Sequence, residues 1–298
     1  SAVEMPWADK VNAVLYMGLP GEAGGDAIRD LLFGRVNPSG KLVDTFADSL
    51  EAYPSTEGFH ASTEYVEYTE DIYVGYRYFE TVPGQSRKVV YPFGFGLSYT
   101  QFSISTEYAE LTGNRLLCDA KVTNLGKIAG KEVVQLYFSA PEGKLGKPAL
   151  QLAAFEKTPL LAPGQSVCLH LEVPFADMAS YDDLGLVKKS AWVLEKGCYR
   201  FFLGSSVRDH RELPVSLTLE EDRVTLQLTE KLAPRKLTKR MRADGSYQTL
   251  PCSEYPPVER AAFLQEPGKL MGAIPEIRFE GRSYMRWAPC FQPKPPQL

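Results

Sequence analysis

The amino-acid sequence predicts a partial α/β domain, then an all-β sandwich, then an extended tail. Near the N-terminus, a short apolar run, a glycine-rich loop and a helical pattern follow one another, which is typical of an α/β unit. From residue 101, alternating and β-branched runs separated by turn residues indicate a sandwich of about seven strands. We therefore divide the chain into residues 1–100, the sandwich at 101–212, and a linker or extended arm at 213–298.

The overall composition is that of an ordinary globular protein and excludes several functional classes. The chain has 298 residues, of which 44% are apolar and 23% charged, so disorder is not expected for most of it. A net charge of −4 argues against a nucleic-acid partner. The sequence has neither a run of eighteen apolar residues nor an N-terminal signal-peptide pattern, so we expect no membrane partner.

The cysteines favour a reducing compartment. They are five in number and widely spaced, and no Cys-x-x-Cys pair occurs. An odd, scattered set does not form a fully paired disulfide framework within one chain. We therefore expect free thiols and a cytoplasmic location.

The first α/β unit lacks the neighbours that such a unit needs. Residues 11–16, "VNAVLY", are predicted as a buried strand, and "GGDAIRDLLFG" as a helix that stops at Gly34. The segment "KLVDTF" is expected to resume extended structure. A unit of about fifty residues is too small to form a covered sheet. We therefore expect a missing segment, a partner chain or a homo-oligomer to cover its apolar edges.

A long irregular stretch, rich in tyrosine and acid, occupies residues 50–90. Alternation in "IYVGYRYF" predicts a strand near residues 72–79. Three acids in the preceding loop are the candidate substrate-binding residues: Glu64, Glu67 and Glu70. Tyrosines 65, 68 and 73 lie among them, and carboxylates beside aromatic walls are typical of sugar sites, although a solvated acidic loop is the more ordinary interpretation. Arg77 is expected to pair with one of these acids.

The segment "YPFGFGLSYTQF", residues 91–102, predicts a packed junction between two domains. We expect Phe93, Phe95 and Tyr99 to be buried there, because exposed rings at this density would form a large apolar patch. The interleaved glycines indicate a sharp turn, and Gly94 or Gly96 should adopt a backbone conformation that other residues avoid.

No cofactor or metal site is predicted. The loop "GLPGEAGG" matches neither a Walker A sequence nor the dinucleotide fingerprint. The three histidines, His60, His170 and His210, are far apart in sequence and show no ligand spacing.

Four segments in one order resemble glycoside hydrolase family 3, the β-glucosidase-like enzymes. They are "LPGEAGGDAIRDLLFGRVNPSGKLVDTF", "YVGYRYFE", "YPFGFGLSYTQF", and "VTNLGKIAGKEVVQLYFSAP" with "FEKTPLLAPGQS". Together they span about two thirds of the chain, from residue 7 to residue 206. The resemblance implies that the α/β segment belongs to the family's C-terminal α/β sandwich domain. It also implies that the β-sandwich is a fibronectin type III-like domain.

The resemblance further implies a retaining β-glycosidase acting on a β-glucoside or related oligosaccharide. In the family, an aspartate nucleophile lies on a barrel domain and a glutamate acid/base on the α/β sandwich domain. Neither motif matches a segment of this chain, so no catalytic residue is assigned here. The chain alone is expected to be inactive without the catalytic barrel, which in some relatives comes last in the sequence. The alternative is a non-catalytic β-sandwich module that binds carbohydrate or protein.

Overall fold

The computed structural model describes residues 3–59, 66–229 and 237–250, together with the backbone of two short strands further along the chain. Residues 1–252 cluster into one compact unit and residues 253–298 into a second. The first unit consists mostly of strands with few helices, and it joins an α/β portion to a β-sandwich. No helix among the described residues is long and apolar enough to cross a membrane.

Within residues 3–59 and 66–100, the structure shows three short α-helices and one small antiparallel ladder. The helices are α1 (Gly24–Leu32), α2 (Thr56–Phe59) and α3 (Tyr76–Phe79). The ladder pairs β1 (Phe46–Ala47) with β2 (Val89–Tyr91). Single 3-10 turns occur at Ala8–Lys10, Leu50–Ala52 and Gln85–Lys88.

Helix α1 confirms the helix predicted in this part of the sequence. It ends where Gly34 takes a φ of 68°, and the Gly34 N–H donates to the Leu31 carbonyl at 3.0 Å. A left-handed glycine just past the last turn is a common way to end a helix. Its apolar face is only partly covered, because Ile28 and Leu31 are half-buried and Leu32 is exposed.

The prediction of a buried strand at residues 11–16 is wrong. This segment belongs to no strand, and Val11, Val14 and Leu15 are each about two fifths exposed, at 44%, 39% and 42%. A strand of a parallel sheet needs neighbours on both edges and helices on both faces. Among the described residues, this segment has no such neighbours. The apolar run is therefore present in the sequence, but the segment does not form a strand.

The strand predicted at residues 72–79 is also wrong, because the chain forms helix α3 over the second half of that stretch. Gly75 precedes the helix with φ 54° and ψ −134°, a conformation that ends any extended run. Tyr78 and Phe79 then face inward and are buried in a cluster with Tyr73 and Val82. The alternating aromatic residues thus fill one small core rather than one face of a sheet.

The β-sandwich contains ten strands, against about seven predicted. They are β3 (Phe102–Thr112), β4 (Arg115–Asn124), β5 (Val133–Ser139), β6 (Gln151–Lys157), β7 (Ser166–Pro174), β8 (Ser180–Asp182), β9 (Ala191–Leu194), β10 (Gly197–Gly204), β11 (His210–Leu219) and β12 (Arg223–Gln227). A 3-10 turn at Phe175–Met178 separates β7 from β8. The sequence predicts too few strands because β8 and β9 are too short to show an alternating pattern.

Three antiparallel sheets build the sandwich. Their orders are β3-β4-β7, β11-β10-β5-β6 and β12-β9-β8. Alternation along β4 sends Leu116, Cys118, Ala120 and Val122 inward, each at most 1% exposed. They join the inward residues of β5, β7 and β10 in one continuous apolar core. Such a core supplies most of the driving force for folding.

The sandwich extends past the boundary that the sequence analysis places at residue 212. That residue lies inside β11, which pairs with β10 as far as Leu219. Strand β12 then pairs with β9 through Gln227. The polar, weakly alternating sequence of β12 belongs to an edge strand with mostly exposed side chains, which explains the weak sequence signal.

Part of the predicted linker or arm is a packed hairpin. Strand β13 (Lys239–Met241) pairs with β14 (Tyr247–Thr249), and Gly245 between them has a φ of 82°. Met241 is 5% exposed and lies in the cluster of Tyr73 and Phe79. The linker interpretation is therefore wrong for residues 237–250. The rest of the predicted arm lies mainly outside the described residues.

The second unit shows one described feature. Strand β15 (Arg278–Phe279) pairs with β16 (Arg282–Ser283) in a two-residue antiparallel ladder.

The junction at residues 91–102 turns at Gly94, as predicted. Gly94 has a φ of 81°, and a Cβ there would lie 2.8 Å from Gln135 Nε2 and closer still to its Oε1. Gln135 is 3% exposed, accepts from the Tyr137 hydroxyl and donates to the Ser205 carbonyl at 2.7 Å. Only a glycine fits this backbone conformation and this approach together.

The predicted burial of the junction rings is only partly correct. Phe93 is half-buried and stacks on Tyr76 with ring centroids 4.5 Å apart. Phe95 is half-buried and stacks on Tyr91. Tyr99 is 48% exposed, so its predicted burial is wrong. Its hydroxyl donates instead to the Leu31 carbonyl at the end of α1, at 3.0 Å.

Two glycines with the same φ, Gly94 and Gly84, test the close approach of Gly94 to Gln135. Gly84 also has a φ of 81°, but nothing lies within 4 Å of a Cβ there. We expect Gly84→Ala to cost about 1–2 kcal/mol of unfolding free energy, from the left-handed conformation alone. Gly94→Ala should cost about 1–3 kcal/mol more, because the methyl group displaces the Gln135 amide. Denaturant unfolding measures both, and equal losses would contradict a packed junction.

Candidate functional site

The candidate site lies where the acidic loop, residues 66–73, meets the hairpin of β13 and β14. The Met241 N–H donates to the Thr69 carbonyl at 2.8 Å, so the hairpin is fixed to the loop through the backbone. The loop continues into helix α3, whose buried rings anchor it from the other side. A segment that reads as irregular in the sequence is therefore held at both ends.

The three candidate substrate-binding acids have different environments. Glu67 is half-buried, whereas Glu70 is only 4% exposed. Glu64 lies outside the described residues. Of the two described acids, Glu67 is the one that retains contact with solvent. Their assignment to a sugar site stays a prediction.

The tyrosines of this loop do not form a continuous wall. Tyr73 is 1% exposed and its hydroxyl donates to the Lys147 carbonyl at 3.3 Å, while Tyr68 is 74% exposed. Burial raises the pKa of Tyr73 to about 12, so this hydroxyl stays protonated at neutral pH. Lys147 itself forms a buried ion pair with Glu195. Tyr73 therefore ties the loop to the sandwich rather than facing a ligand.

Arg240 is the cation that pairs with Asp71 of the loop, although the sequence places Arg240 in the predicted linker or arm. Its Nη1 lies 3.3 Å from Asp71 Oδ2 and its Nη2 lies 2.6 Å from Asp183 Oδ2. The expected cation was Arg77, but the described ion pairs of this loop run to Arg240. A planar guanidinium has its donors in a fixed fork, so one side chain bridges two carboxylates.

Asp71 has an unfavourable backbone conformation and a partly buried carboxyl group. Its φ of 53° is unusual for a residue other than glycine. Burial raises the pKa of the Asp71 carboxyl, Arg240 lowers it, and the nearby Asp183 raises it again, so that the net shift is upward. Strained backbone and a partly desolvated acid persist only where surrounding contacts impose them. Arg240 is the contact that lowers the cost of the ionised form.

Asp183 is positioned by the residue before it. Asp182 is fully buried, and its two carboxylate oxygens accept the N–H groups of Gly185, Leu186, Val187 and Lys188 at 2.7–3.1 Å. Burial alone would raise the pKa of Asp182, but these four donors lower it below its ordinary value. The loop between β8 and β9 is thus fixed from within and presents Asp183 to Arg240.

Residues 3–43 are the second region of interest, because many of their apolar side chains are exposed. Leu19 is fully exposed, and Phe33 and Val43 are each 79% exposed. Further exposed apolar side chains lie in the same segment: Val3, Trp7, Val11, Val14, Leu15, Leu32 and Val36. Soluble proteins rarely expose large apolar patches unless another surface covers them.

The surface depression at one end of the sandwich lacks the pair of carboxylates that glycoside hydrolysis requires. Retaining enzymes place two carboxyl groups about 5 Å apart across the scissile bond. This depression has a volume of about 350 Å³ and contains a single carboxylate, Glu172. Arg115 pairs with it at 2.7 Å. That depression does not supply the chemistry.

Comparison with known proteins identifies the family. Residues 1–99 match the glycosyl hydrolase family 3 C-terminal domain, and residues 132–207 match a fibronectin type III-like domain. This chain carries the C-terminal domains of glycoside hydrolase family 3. The family 3 resemblance seen in the sequence motifs is confirmed, as is the order of the two domains.

The similar proteins of family 3 are β-glucosidases. β-Glucosidase A of Butyrivibrio fibrisolvens is 53% identical over 271 residues, which cover 86% of this chain and 32% of that protein. The β-glucosidase of Ruminococcus albus is 44% identical, covering 92% of this chain and 28% of that protein. Both matches extend beyond the two thirds of the chain that the sequence motifs span.

Solved family 3 structures show the same fold. A β-glucosidase from Paenibacillus barengoltzii superposes with a TM-score of 0.80 at 42% identity, over 87% of this chain and 30% of that one. β-Glucosidase 3B from Thermotoga neapolitana, in complex with α-D-glucose, gives a TM-score of 0.67 at 39% identity, over 75% and 30%. This chain thus spans about a third of the length of the relatives it matches, and the described residues contain no barrel domain.

A double-mutant cycle tests the Arg240 bridge. We expect Arg240→Met and Asp183→Asn each to lower the unfolding free energy, with a coupling of about 1–2 kcal/mol between them, because both side chains are less than a third exposed. The matched control is Arg242→Met, which removes an exposed cation from the same hairpin. A coupling below about 0.5 kcal/mol would show that the bridge is only a surface pair.

The lowered pKa of Asp182 should make the unfolding free energy depend on pH. Its pKa in the folded state lies below the unfolded value of about 3.9, so its stabilisation is present above that pH and is lost as the pH falls. Asp182→Asn should cost about 2–4 kcal/mol at neutral pH, because two backbone donors lose their acceptor. The difference from the wild type should shrink below about pH 4. Asp177→Asn, at an exposed acid nearby, should show neither effect.

Proposed function

We propose that this chain forms part of a retaining β-glycosidase that hydrolyses O-glycosidic bonds in β-glucosides or related oligosaccharides. The family 3 domains and the β-glucosidase names of the similar proteins support this reaction. In this proposal the catalytic carboxylates lie outside the chain. Its own role is to complete and stabilise the active site from one side.

The observation that carries the proposal is the exposed apolar surface of residues 3–43. It falls inside the segment that matches the family 3 C-terminal domain, and this chain spans only about a third of the relatives' length. We infer that the remaining part of a family 3 enzyme packs against this surface. Burial of side chains such as Phe33 and Val43 would favour that docking by about 25 cal/mol for each Å² removed from water.

The loop at residues 66–73 is proposed as the part of this chain closest to the sugar. Its position is fixed by Arg240, Tyr73 and the buried rings of α3. Glu67 and the neighbouring Glu64 are the proposed substrate contacts. Glu70, with its carboxyl enclosed, is proposed to support the loop.

We propose a cytoplasmic location for the enzyme and a role in carbohydrate metabolism. The thiols of Cys118, Cys168 and Cys198 are free, which fits a reducing compartment. The β-glucosidase relatives support the metabolic role.

A chimeric enzyme tests the proposed function. The chain replaces the matching third of the B. fibrisolvens β-glucosidase A, to which it is 53% identical, and an aryl β-glucoside is the substrate. We expect the chimera to hydrolyse this substrate and the isolated chain to show no turnover above background. Phe33→Asp in the chimera should lower activity more than about tenfold, since a buried unpaired charge weakens docking by well over 1.4 kcal/mol.

Phe155→Asp is the matched control, because Phe155 is 67% exposed on the sandwich strand β6. It should leave chimera activity unchanged. Equal losses from both variants would contradict docking through residues 3–43. A folded but inactive chimera, together with retention of the isolated chain on immobilised glucan, would favour the alternative of a non-catalytic binding module.

A further inference from the structure

The outer face of sheet β3-β4-β7 brings together three side chains that bind metals. Asp119 of β4 lies directly opposite His170 of β7 in the antiparallel register. Cys168 lies two residues from His170 on the same strand, so both side chains point to the same face. Sequence spacing gives no indication of this group, because Asp119 is about fifty residues from the other two.

The geometry of the three side chains fits one metal ion. Their potential ligand atoms all lie within 4.8 Å of one another, and His170 Nδ1 is 2.7 Å from Asp119 Oδ1. Tetrahedral coordination at bond lengths of about 2.0–2.3 Å separates ligand atoms by roughly 3.3–3.7 Å. Small side-chain rotations therefore convert the present arrangement into a coordination sphere, with no movement of the strands.

We propose that Asp119, Cys168 and His170 bind a divalent transition-metal ion of the zinc class, with the fourth coordination position open. A thiolate, an imidazole and a carboxylate are the ligands that zinc takes in proteins. On coordination the Cys168 thiol gives up its proton to solvent, and the metal takes its place. A depression of about 300 Å³ bordered by Asp119 and His170 leaves room for water or another donor at the open position.

The surrounding charges leave these three side chains available. Glu172, the next outward residue on β7, is paired with Arg115 at 2.7 Å, and Glu110 accepts from the Tyr108 hydroxyl. Lys121 lies opposite Cys168 in the β4–β7 register, and its positive charge would repel a bound cation. Its long stem allows the ammonium to move away.

A surface ion pair alone does not account for this group. An exposed His–Asp pair contributes little stability, and free cysteine is usually a buried residue. Of the described cysteines, Cys118 is buried in the core, and Cys168 and Cys198 are exposed. Cys168 differs from Cys198 in lying beside the Asp119–His170 pair, and this position points to a use of the Cys168 sulfur as a ligand.

Metal titration of the full chain tests the proposal. Under a phosphine reductant, Zn²⁺ binding is measured by competition with a chromophoric chelator, and Co²⁺ reports thiolate ligation through its charge-transfer absorption. We expect one strong site with micromolar or tighter affinity and a cobalt–thiolate band. Cys168→Ser, His170→Ala and Asp119→Asn should each weaken that site by about tenfold or more. Cys168→Ser should also abolish the band.

Two matched variants complete the experiment. Cys198→Ser removes another exposed thiol, and Glu172→Gln removes a carboxylate from the same strand face. Both should bind Zn²⁺ like the wild type. Binding weaker than about 100 μM in the wild type, or equal affinity in the wild type and the Cys168→Ser and His170→Ala variants, would overturn the proposal. Circular dichroism of each variant establishes that a lost site reflects a lost ligand and not a lost fold.

Discussion

The side-chain amide of Gln135 is the contact on which the arrangement of the two domains depends. It is buried beneath the turn at Gly94, accepts from Tyr137 and donates to the Ser205 carbonyl. It therefore connects β5, the chain after β10 and the junction that leads out of the α/β portion. Since a buried amide is costly unless its hydrogen bonds are made, any displacement of the junction leaves polar groups unsatisfied. The turn and the sandwich are consequently coupled.

From that junction, a second set of contacts secures the irregular segment beside the sandwich. The loop at residues 66–73 reaches the sandwich through Tyr73 and Lys147, and reaches the hairpin through Thr69 and Arg240. Arg240 in turn holds Asp183, whose loop is stabilised by Asp182. Apart from the local hydrogen bonds of Asp182, each contact joins segments that are distant in sequence. The loop therefore owes its conformation to the whole unit rather than to local propensity.

The parts of this structure that the sequence predicted are those governed by local rules. Helix α1 and its stop at Gly34 follow from periodicity and glycine, and the sandwich strands follow from alternation. At residues 72–79 the alternating pattern was misleading. Gly75 redirects the backbone into a helix, and this helix buries aromatic residues as a strand would. The hairpin had a readable signal in Asp244-Gly245, a favoured turn pair. Arg240 lies 169 residues from Asp71, and Cys168 lies 49 from Asp119. Only the folded chain brings such residues together.

The two halves of the first unit differ in how completely they bury their apolar side chains. The sandwich encloses a continuous apolar core between its sheets, and its buried charges are paired or hydrogen-bonded, as in the Lys147–Glu195 ion pair. Residues 3–43 keep many apolar side chains exposed, and the strand predicted at residues 11–16 does not form. A chain with this asymmetry has its folding free energy concentrated in the sandwich and its binding free energy still available in the α/β portion. The sandwich then acts as the rigid support, and the open α/β surface is where the remaining part of a family 3 enzyme would gain its contact energy.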